Sequence, residues 1–289
     1  MTCATRALYP LPTSVMLQHR CAPCASVFFL ADLRKTCKVR CLRLQCGMRL
    51  RPLIAIALSL LLAACAHAPP RNPMARWVPS PNQNARQAML IVLHYTEQQS
   101  VQQSLHTLRT ANSGGRVSSH YLIGDDGALY QLVADERRAW HAGAGRWGTI
   151  SDVNSASIGI EIDNDGQEPF TPEQIATLLR LLEDLCTRLG IPRTHVIGHA
   201  DMAPTRKIDP GRLFPWQQLA QAGFGRWPKP DRGAAPLDFD AIAALRLLGY
   251  ATDDLAATVR AFHLHYRGID TTTLDAEDAS ILHSLTTAK

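Results

Sequence analysis

A mixed α/β domain followed by a small bundle of three helices is the fold class that this 289-residue sequence predicts. Three observations carry that expectation. Short apolar runs of strand length recur between Met89 and His199, separated by turn signals. Pro172–Leu189 has helical periodicity with a start signal and a stop signal. Residues 237–289 hold three short helical patterns. Strands that alternate with helices point to a layered α/β arrangement. The composition, 46% apolar and 19% charged, is that of a globular chain.

In chain order, the first segment reads as an address. From Met48 the sequence runs MRLRPLIAIALSLLLAAC: two arginines, an apolar run from Leu53 to Leu62, then Ala63-Ala64-Cys65. A basic start, a short apolar stretch and small residues before a cut make a secretory signal over 48–64. The run is short for a membrane span. A buried helix is the alternative, although no polar stripe marks a solvent face. Leu62-Ala63-Ala64-Cys65 also resembles a bacterial lipobox, which implies lipidation of Cys65. Met48 stands where the initiator of such a signal belongs. Residues 1–47 therefore read as an N-terminal extension from a start placed too far upstream, the alternative being a genuine cytoplasmic extension.

Charge and cysteine usage divide at the same place. Residues 1–64 carry nine Lys/Arg against the single Asp32, a net +8, so the whole-chain value of +5 leaves the remaining 225 residues at −3. That mildly acidic body argues against a nucleic-acid-reading surface. Six of the eight cysteines (Cys3, Cys21, Cys24, Cys37, Cys41, Cys46) precede residue 47. Cys21-Ala-Pro-Cys24 has no second Cys/His pair at finger spacing, so a metal site there is disfavoured.

After Cys65, the Pro- and Asn-rich stretch to Gln87 reads as a tether (65–87) to a domain over 88–222. Met89–Tyr95 is an apolar strand. Gln99–Thr110 suits a helix with Val101, Leu105 and Leu108 on one face. His120–Ile123 and Ala128–Leu132 flank the turn Asp125-Asp126-Gly127, and Ser157–Ile162 is another strand. In Pro172–Leu189, Thr171 is the cap, Gln174 completes a capping box and Gly190 stops the helix. Ile175, Leu178, Leu182, Leu185 and Cys186 share its apolar face, so Cys186 is expected in the core. His195–His199 is a short strand. Residues 223–236 read as a linker. In the bundle that follows, Asp238 can cap the first helix, which ends at Gly249. Leu255, Val259, Phe262 and Tyr266 mark the second helix, and Ala279, Ile281, Leu282 and Leu285 the third.

Three segments end an apolar strand with ionisable groups: Val92-Leu-His94-Tyr-Thr96, Ile158-Gly-Ile-Glu161-Ile-Asp163-Asn164, and Ile197-Gly-His199-Ala-Asp201 running on to Lys207-Ile-Asp209. Free imidazoles and carboxylates are costly in a core unless paired or metal-bound. In an extended strand Glu161 points away from Ile160 and Ile162. Lys207 and Asp209 face the same way if extended, as a salt bridge or as a metal ligand beside a cation. Two histidines with a carboxylate and an open position make a catalytic zinc pattern. Zinc acidifies water and polarises a carbonyl, a Glu can take the proton, and a Lys can stabilise an oxyanion. His94 and His199 lie 105 residues apart with no HExxH motif, so spacing leaves surface or core histidines open as the alternative.

The motifs VLHYT, RVSSHYLIGDDGALYQLV, AWHAG, SIGIEIDN and GHADMAPTRKIDPG, between Ile91 and Trp216, resemble the zinc-dependent N-acetylmuramoyl-L-alanine amidases of the amidase-2 type. That family is related to phage amidases and peptidoglycan recognition proteins. The resemblance implies a central mixed sheet flanked by helices. It implies His94, His199 and Asp209 as zinc ligands, Glu161 as general base and Lys207 as the cation that stabilises the transition state. Some relatives carry Cys where Asp209 stands. His141 and Asn164 fall where the family contacts its muropeptide substrate, while His120 reads as structural. Asp201 and Arg206 can orient ligands. The C-terminal residues LRLLGY and VRAFHLHYRG resemble a peptidoglycan-binding module, with a structural cap as the alternative. Hydrolysis of the amide between N-acetylmuramic acid, or its anhydro form, and L-alanine is the implied activity. A non-catalytic peptidoglycan-binding lipoprotein and a zinc peptidase acting on the stem peptide are the rivals. Ala66 rather than Asp follows Cys65, which by resemblance to Gram-negative lipoproteins implies the inner leaflet of the outer membrane, facing the periplasm, with the lipid as the sole membrane attachment.

Overall fold

The computed structural model describes residues 71–85, 88–112 and 115–287. The N-terminal extension, the signal segment and Cys65 lie outside the described residues. Among the described residues no helix is long and apolar enough to cross a membrane.

Six strands form the central sheet: β1 (Arg76–Trp77), β2 (Leu90–Tyr95), β3 (Tyr121–Ile123), β4 (Leu129–Gln131), β5 (Ser157–Ile162) and β6 (Val196–Gly198), in the order β1-β4-β3-β5-β2-β6. Strands β3, β5, β2 and β6 run parallel, whereas β4 returns antiparallel to β3 through the Asp125–Gly127 turn. The mixed sheet flanked by helices that the sequence implied is therefore present. One expectation needs correction. Residues 71–85, read as part of a tether, belong to the fold, because β1 pairs with β4. The polar residues there are anchors. Asn72 donates to the Asp184 carboxylate at 2.9 Å, and buried Ser80 donates to the Leu108 carbonyl at 3.0 Å.

Period-two alternation gives the sheet two different faces. Ile91 and Leu93 of β2 and Ile158, Ile160 and Ile162 of β5 pack with the long helix on one face. Leu90 and Val92, with Ile197 of β6, pack on the other. The helices before and along this part are α1 (Val101–Thr107), the short α2 (Val153–Ala156) and the long α3 (Pro172–Leu189). The Thr171 capping box with Gln174 forms, and Gly190 ends α3 in the left-handed conformation at φ 68°. Leu178, Leu181, Leu182 and Leu185 are fully buried from α3. Each such side chain contributes about 1.5–3 kcal/mol of burial. Cys186 is buried among them, and burial raises its thiol pKa.

Beyond β6 come α4 (His199–Met202), α5 (Trp216–Gln221), α6 (Ala241–Leu248), α7 (Leu255–Tyr266) and α8 (Ala276–Thr287). The three C-terminal helices expected from the sequence are present. The cap of α6 is Asp240, whose carboxylate accepts from Ala243 N–H at 2.9 Å, in place of the expected Asp238. Phe239, the residue before the cap, packs against the bundle core that includes Ala244, in the manner of a hydrophobic staple, and the cap falls two residues later than expected. The described residues belong to one compact unit, so the stretch read as a linker does not separate two bodies. Lys229 N–H donates to Ser284 Oγ, and Ser280 Oγ donates to the Gly233 carbonyl. Ala200 of α4 shares its core with Leu245, Phe262 and Leu282 of the bundle.

Asp201 is the polar node of that contact. Its carboxylate accepts from Gly198 N–H at 2.7 Å and Tyr250 O–H at 2.7 Å, and pairs with His265 Nδ1 at 2.8 Å. Tyr250→Phe leaves one buried carboxylate oxygen without its donor. The expected cost is about 1–3 kcal/mol, measurable as a lower urea midpoint with an unchanged slope. An unaltered midpoint would mean the bond contributes nothing net.

Candidate active site

The register of three parallel strands builds the site. His94 of β2 is the cross-strand partner of Glu161 of β5, so both point to one face of the sheet. Gly198 of β6 pairs with Leu93, which brings the next residue, His199, level with His94 on that same face. The loop after α4 returns Lys207 and Asp209. These groups line a cleft of about 440 Å³ together with Trp140, His141 and Arg206.

His94 Nδ1, His199 Nδ1 and Asp209 Oδ2 form a triangle with sides of 2.9, 3.0 and 3.0 Å. All three residues are buried. Burial, and then the neighbouring His199, pulls the His94 pKa down to about 4. For Asp209, burial alone would raise the pKa, but contacts with His199 and His94 outweigh it and hold the carboxyl far below its usual range. His199 Nε2 lies 2.9 Å from the Ala142 carbonyl, which can only accept. In its neutral form the ring therefore carries its proton on Nε2 and turns a bare Nδ1 lone pair into the triangle. Two imidazole nitrogens and a carboxylate so close together match the donor set of a zinc centre.

Glu161 stands beside this triangle. Burial, and then the Asp209 charge, raises its pKa well above 4.5, while Lys207 opposes the shift. Its Oε2 is buried without a hydrogen-bond partner among the described residues. A carboxylate with a raised pKa and an uncommitted oxygen is suited to accept a proton.

The other sequence candidates fall in different places. His141 lines the cleft but is buried, with its Nδ1 3.0 Å from His94 Nε2. Asn164 is buried, and its amide is spent within its own loop, accepting from Gly166 N–H and donating to the Glu168 carbonyl. The structure places it outside the cleft-lining set. His120 accepts from Gly159 N–H and bonds the Arg137 carbonyl, which is the structural role expected. Arg206 donates to the Ala142 and Ala144 carbonyls, bracing the segment that His199 leans on. Asn154 carried no sequence signal, yet its Oδ1 accepts from both His141 N–H and Ala142 N–H, at 2.9 and 2.8 Å.

The family model described as Amidase_2, N-acetylmuramoyl-L-alanine amidase, matches residues 84–212. The amidase AmiD of Escherichia coli is 38% identical over 210 residues, which is 62% of this chain and 74% of AmiD. The chain belongs to this amidase family. A 1,6-anhydro-N-acetylmuramyl-L-alanine amidase, AmpD of Haemophilus influenzae, is 38% identical over 104 residues, covering 36% of this chain and 56% of AmpD. Among solved structures, AmiD in complex with anhydro-N-acetylmuramic acid-L-Ala-D-γ-Glu-L-Lys superimposes with a TM-score of 0.62 at 33% identity, covering 74% of this chain and 91% of that one. AmpDh3 of Pseudomonas aeruginosa gives 0.62 at 31% identity, covering 75% of this chain and 97% of that one. The family match spans all five residues assigned to the reaction, from His94 to Asp209.

Proposed function

We propose that this amidase uses zinc to hydrolyse the amide between the lactyl group of N-acetylmuramic acid, intact or anhydro, and L-alanine. The observation that carries the reading is one cleft that holds the His94–His199–Asp209 triangle, Glu161 and Lys207 together. The donor set fits the metal, because His199 already presents its bare Nδ1 and Asp209 supplies an anionic oxygen. Zinc held by these three residues would acidify a water and polarise the scissile carbonyl. Glu161 takes the proton of the attacking water and delivers it to the departing alanine nitrogen. The oxygen bonds the carbonyl carbon, the C–N bond breaks, and a lactyl carboxylate and a free peptide amine result. Lys207 faces the negative charge that develops on the carbonyl oxygen. AmiD, solved with an anhydro-muramyl tripeptide, supports muropeptides as the substrate class.

The lipobox-like Leu62–Cys65 supports lipid attachment at Cys65 and a periplasm-facing site on the outer membrane, with murein turnover as the role. Loss of the membrane fraction in Cys65→Ala checks the anchor. For the activity, the zinc-loaded protein is incubated with muropeptides and the products are weighed by mass spectrometry. A peptide headed by free L-alanine is expected, lost with EDTA and regained with zinc. A cut within the stem peptide sinks the assignment of the bond, and intact muropeptide that still binds sinks the enzyme reading.

The pH profile follows from Glu161. The base works only when ionised, so kcat/KM rises with pH through the Glu161 pKa, which lies above 4.5. Lys207 lowers that pKa, so Lys207→Met should move the acidic limb to higher pH besides lowering the rate. An acidic limb unmoved by Lys207→Met would detach the limb from Glu161.

A further inference from the structure

We propose that His141 is a positioning residue of the metal centre, which selects the tautomer of His94, and is not a contact for substrate. The inference rests on the zinc reading of the triangle. It starts at the far end of a chain of hydrogen bonds. The Val153 carbonyl can only accept, so Ser157 Oγ, 2.5 Å away, spends its hydrogen there. Ser157 Oγ is then an acceptor for the next contact, His141 Nε2 at 3.2 Å. A neutral His141 with its hydrogen on Nε2 has its lone pair on Nδ1, which meets His94 Nε2 at 3.0 Å. His94 must therefore donate from Nε2, and its bare Nδ1 is left in the triangle with His199 and Asp209. A fixed backbone carbonyl thus dictates, through two side chains, which nitrogen of a ligand is free to bind.

The surroundings are built for this chain. Ser157, Gly159 and Glu161 alternate onto one face of β5. Ser157 anchors His141, and Glu161 is the base. Gly159 between them leaves the space that the His141 ring fills, because a Cβ there would overlap the ring. The adjacent residue completes the pattern: the Ala142 carbonyl holds His199 Nε2 as the His141 ring holds His94 Nε2. Asn154 Oδ1 binds the N–H groups of both residues, so one side chain sets the segment that orients both histidine ligands. His141 is buried with Ser157 behind it, leaving its polar atoms committed to these partners.

The test is zinc affinity, read by competition with a chromogenic chelator and set beside kcat and KM of the zinc-saturated enzyme. His141→Phe keeps a ring in the space and removes both nitrogens. It should weaken zinc binding by about 10–100-fold. His141→Asn offers an amide oxygen near the Nδ1 position and should recover most of that loss. Ser157→Ala removes a single buried hydroxyl remote from substrate, and its zinc affinity should fall between wild type and His141→Phe. KM at saturating zinc should hold in all three. Wild-type zinc affinity in His141→Phe, or a raised KM with unaltered zinc affinity, overturns the proposal in favour of a substrate contact. Should His141→Phe fail to fold, Ser157→Ala decides alone, and unchanged affinity there overturns it. Wild-type protein that binds no zinc fails the metal reading itself, a result distinct from variants that match a zinc-binding wild type.

Discussion

Glu161→Gln is expected to lower kcat by about 10²–10⁴-fold while zinc affinity stays within a few-fold of wild type. The amide keeps the shape of the carboxyl but cannot accept a proton from water or carry it to the leaving nitrogen. Among the described residues Glu161 Oε2 has no hydrogen-bond partner, so the substitution breaks no bond at that atom. Folding should not suffer either. An ionised carboxylate that is partly buried beside Asp209 is a cost to the native state, as its raised pKa records, and a neutral amide removes that cost. Thermal unfolding of the metal-free proteins should therefore place Glu161→Gln level with wild type or above it. Loss of turnover together with loss of zinc would make Glu161 a part of the metal site and undo its assignment as the base.

How far the sequence carried this site depends on the length scale of each signal. Helix α3 was fully legible because its cap, periodicity and glycine stop are all local, and the boundaries Pro172–Leu189 agree. Glu161 was legible as the odd residue of an alternating strand. Its alignment with His94 was not, because register between β2 and β5 is set by packing along both strands. The triangle needed the resemblance for the same reason: 105 residues separate His94 from His199, and a parallel sheet closes that gap without leaving a short-range pattern. His141 was legible as a residue of the cleft, whereas its place behind His94 depends on Ser157 and Asn154, whose hydrogen bonds no periodicity encodes. The stretch 71–85 misled because Asn and Pro are common both in tethers and in tightly hydrogen-bonded turns. The bundle helices were visible, but their shared core with Ala200 and the Asp201 node were not, since a small residue and a lone Asp carry no mark of what they meet.

Asp209→Ala should abolish high-affinity zinc binding and, with it, turnover, whereas Asp209→Cys should retain a fraction of both. Charge sets the difference. The triangle consists of two imidazoles and one carboxylate, and neutral His94 and His199 supply no negative charge to a divalent cation. Asp209 is the one member of the triangle that can supply that charge, and its carboxyl is held far below its usual range. Removing it leaves two ligands, fewer than the three that catalytic zinc sites keep. The loss should exceed the about 10–100-fold typical of partners outside the ligand set, which separates Asp209 from His141 on one affinity scale. A thiolate restores both the charge and the third ligand, with a longer bond to the metal. Asp209→Asn is the sharper control, because it keeps the size and an oxygen but not the charge. Chelator competition on the three variants should rank them Asp209→Cys above Asp209→Asn above Asp209→Ala. If Asp209→Asn binds zinc as wild type does, the charge argument fails and the carboxylate serves only to hold the two rings apart.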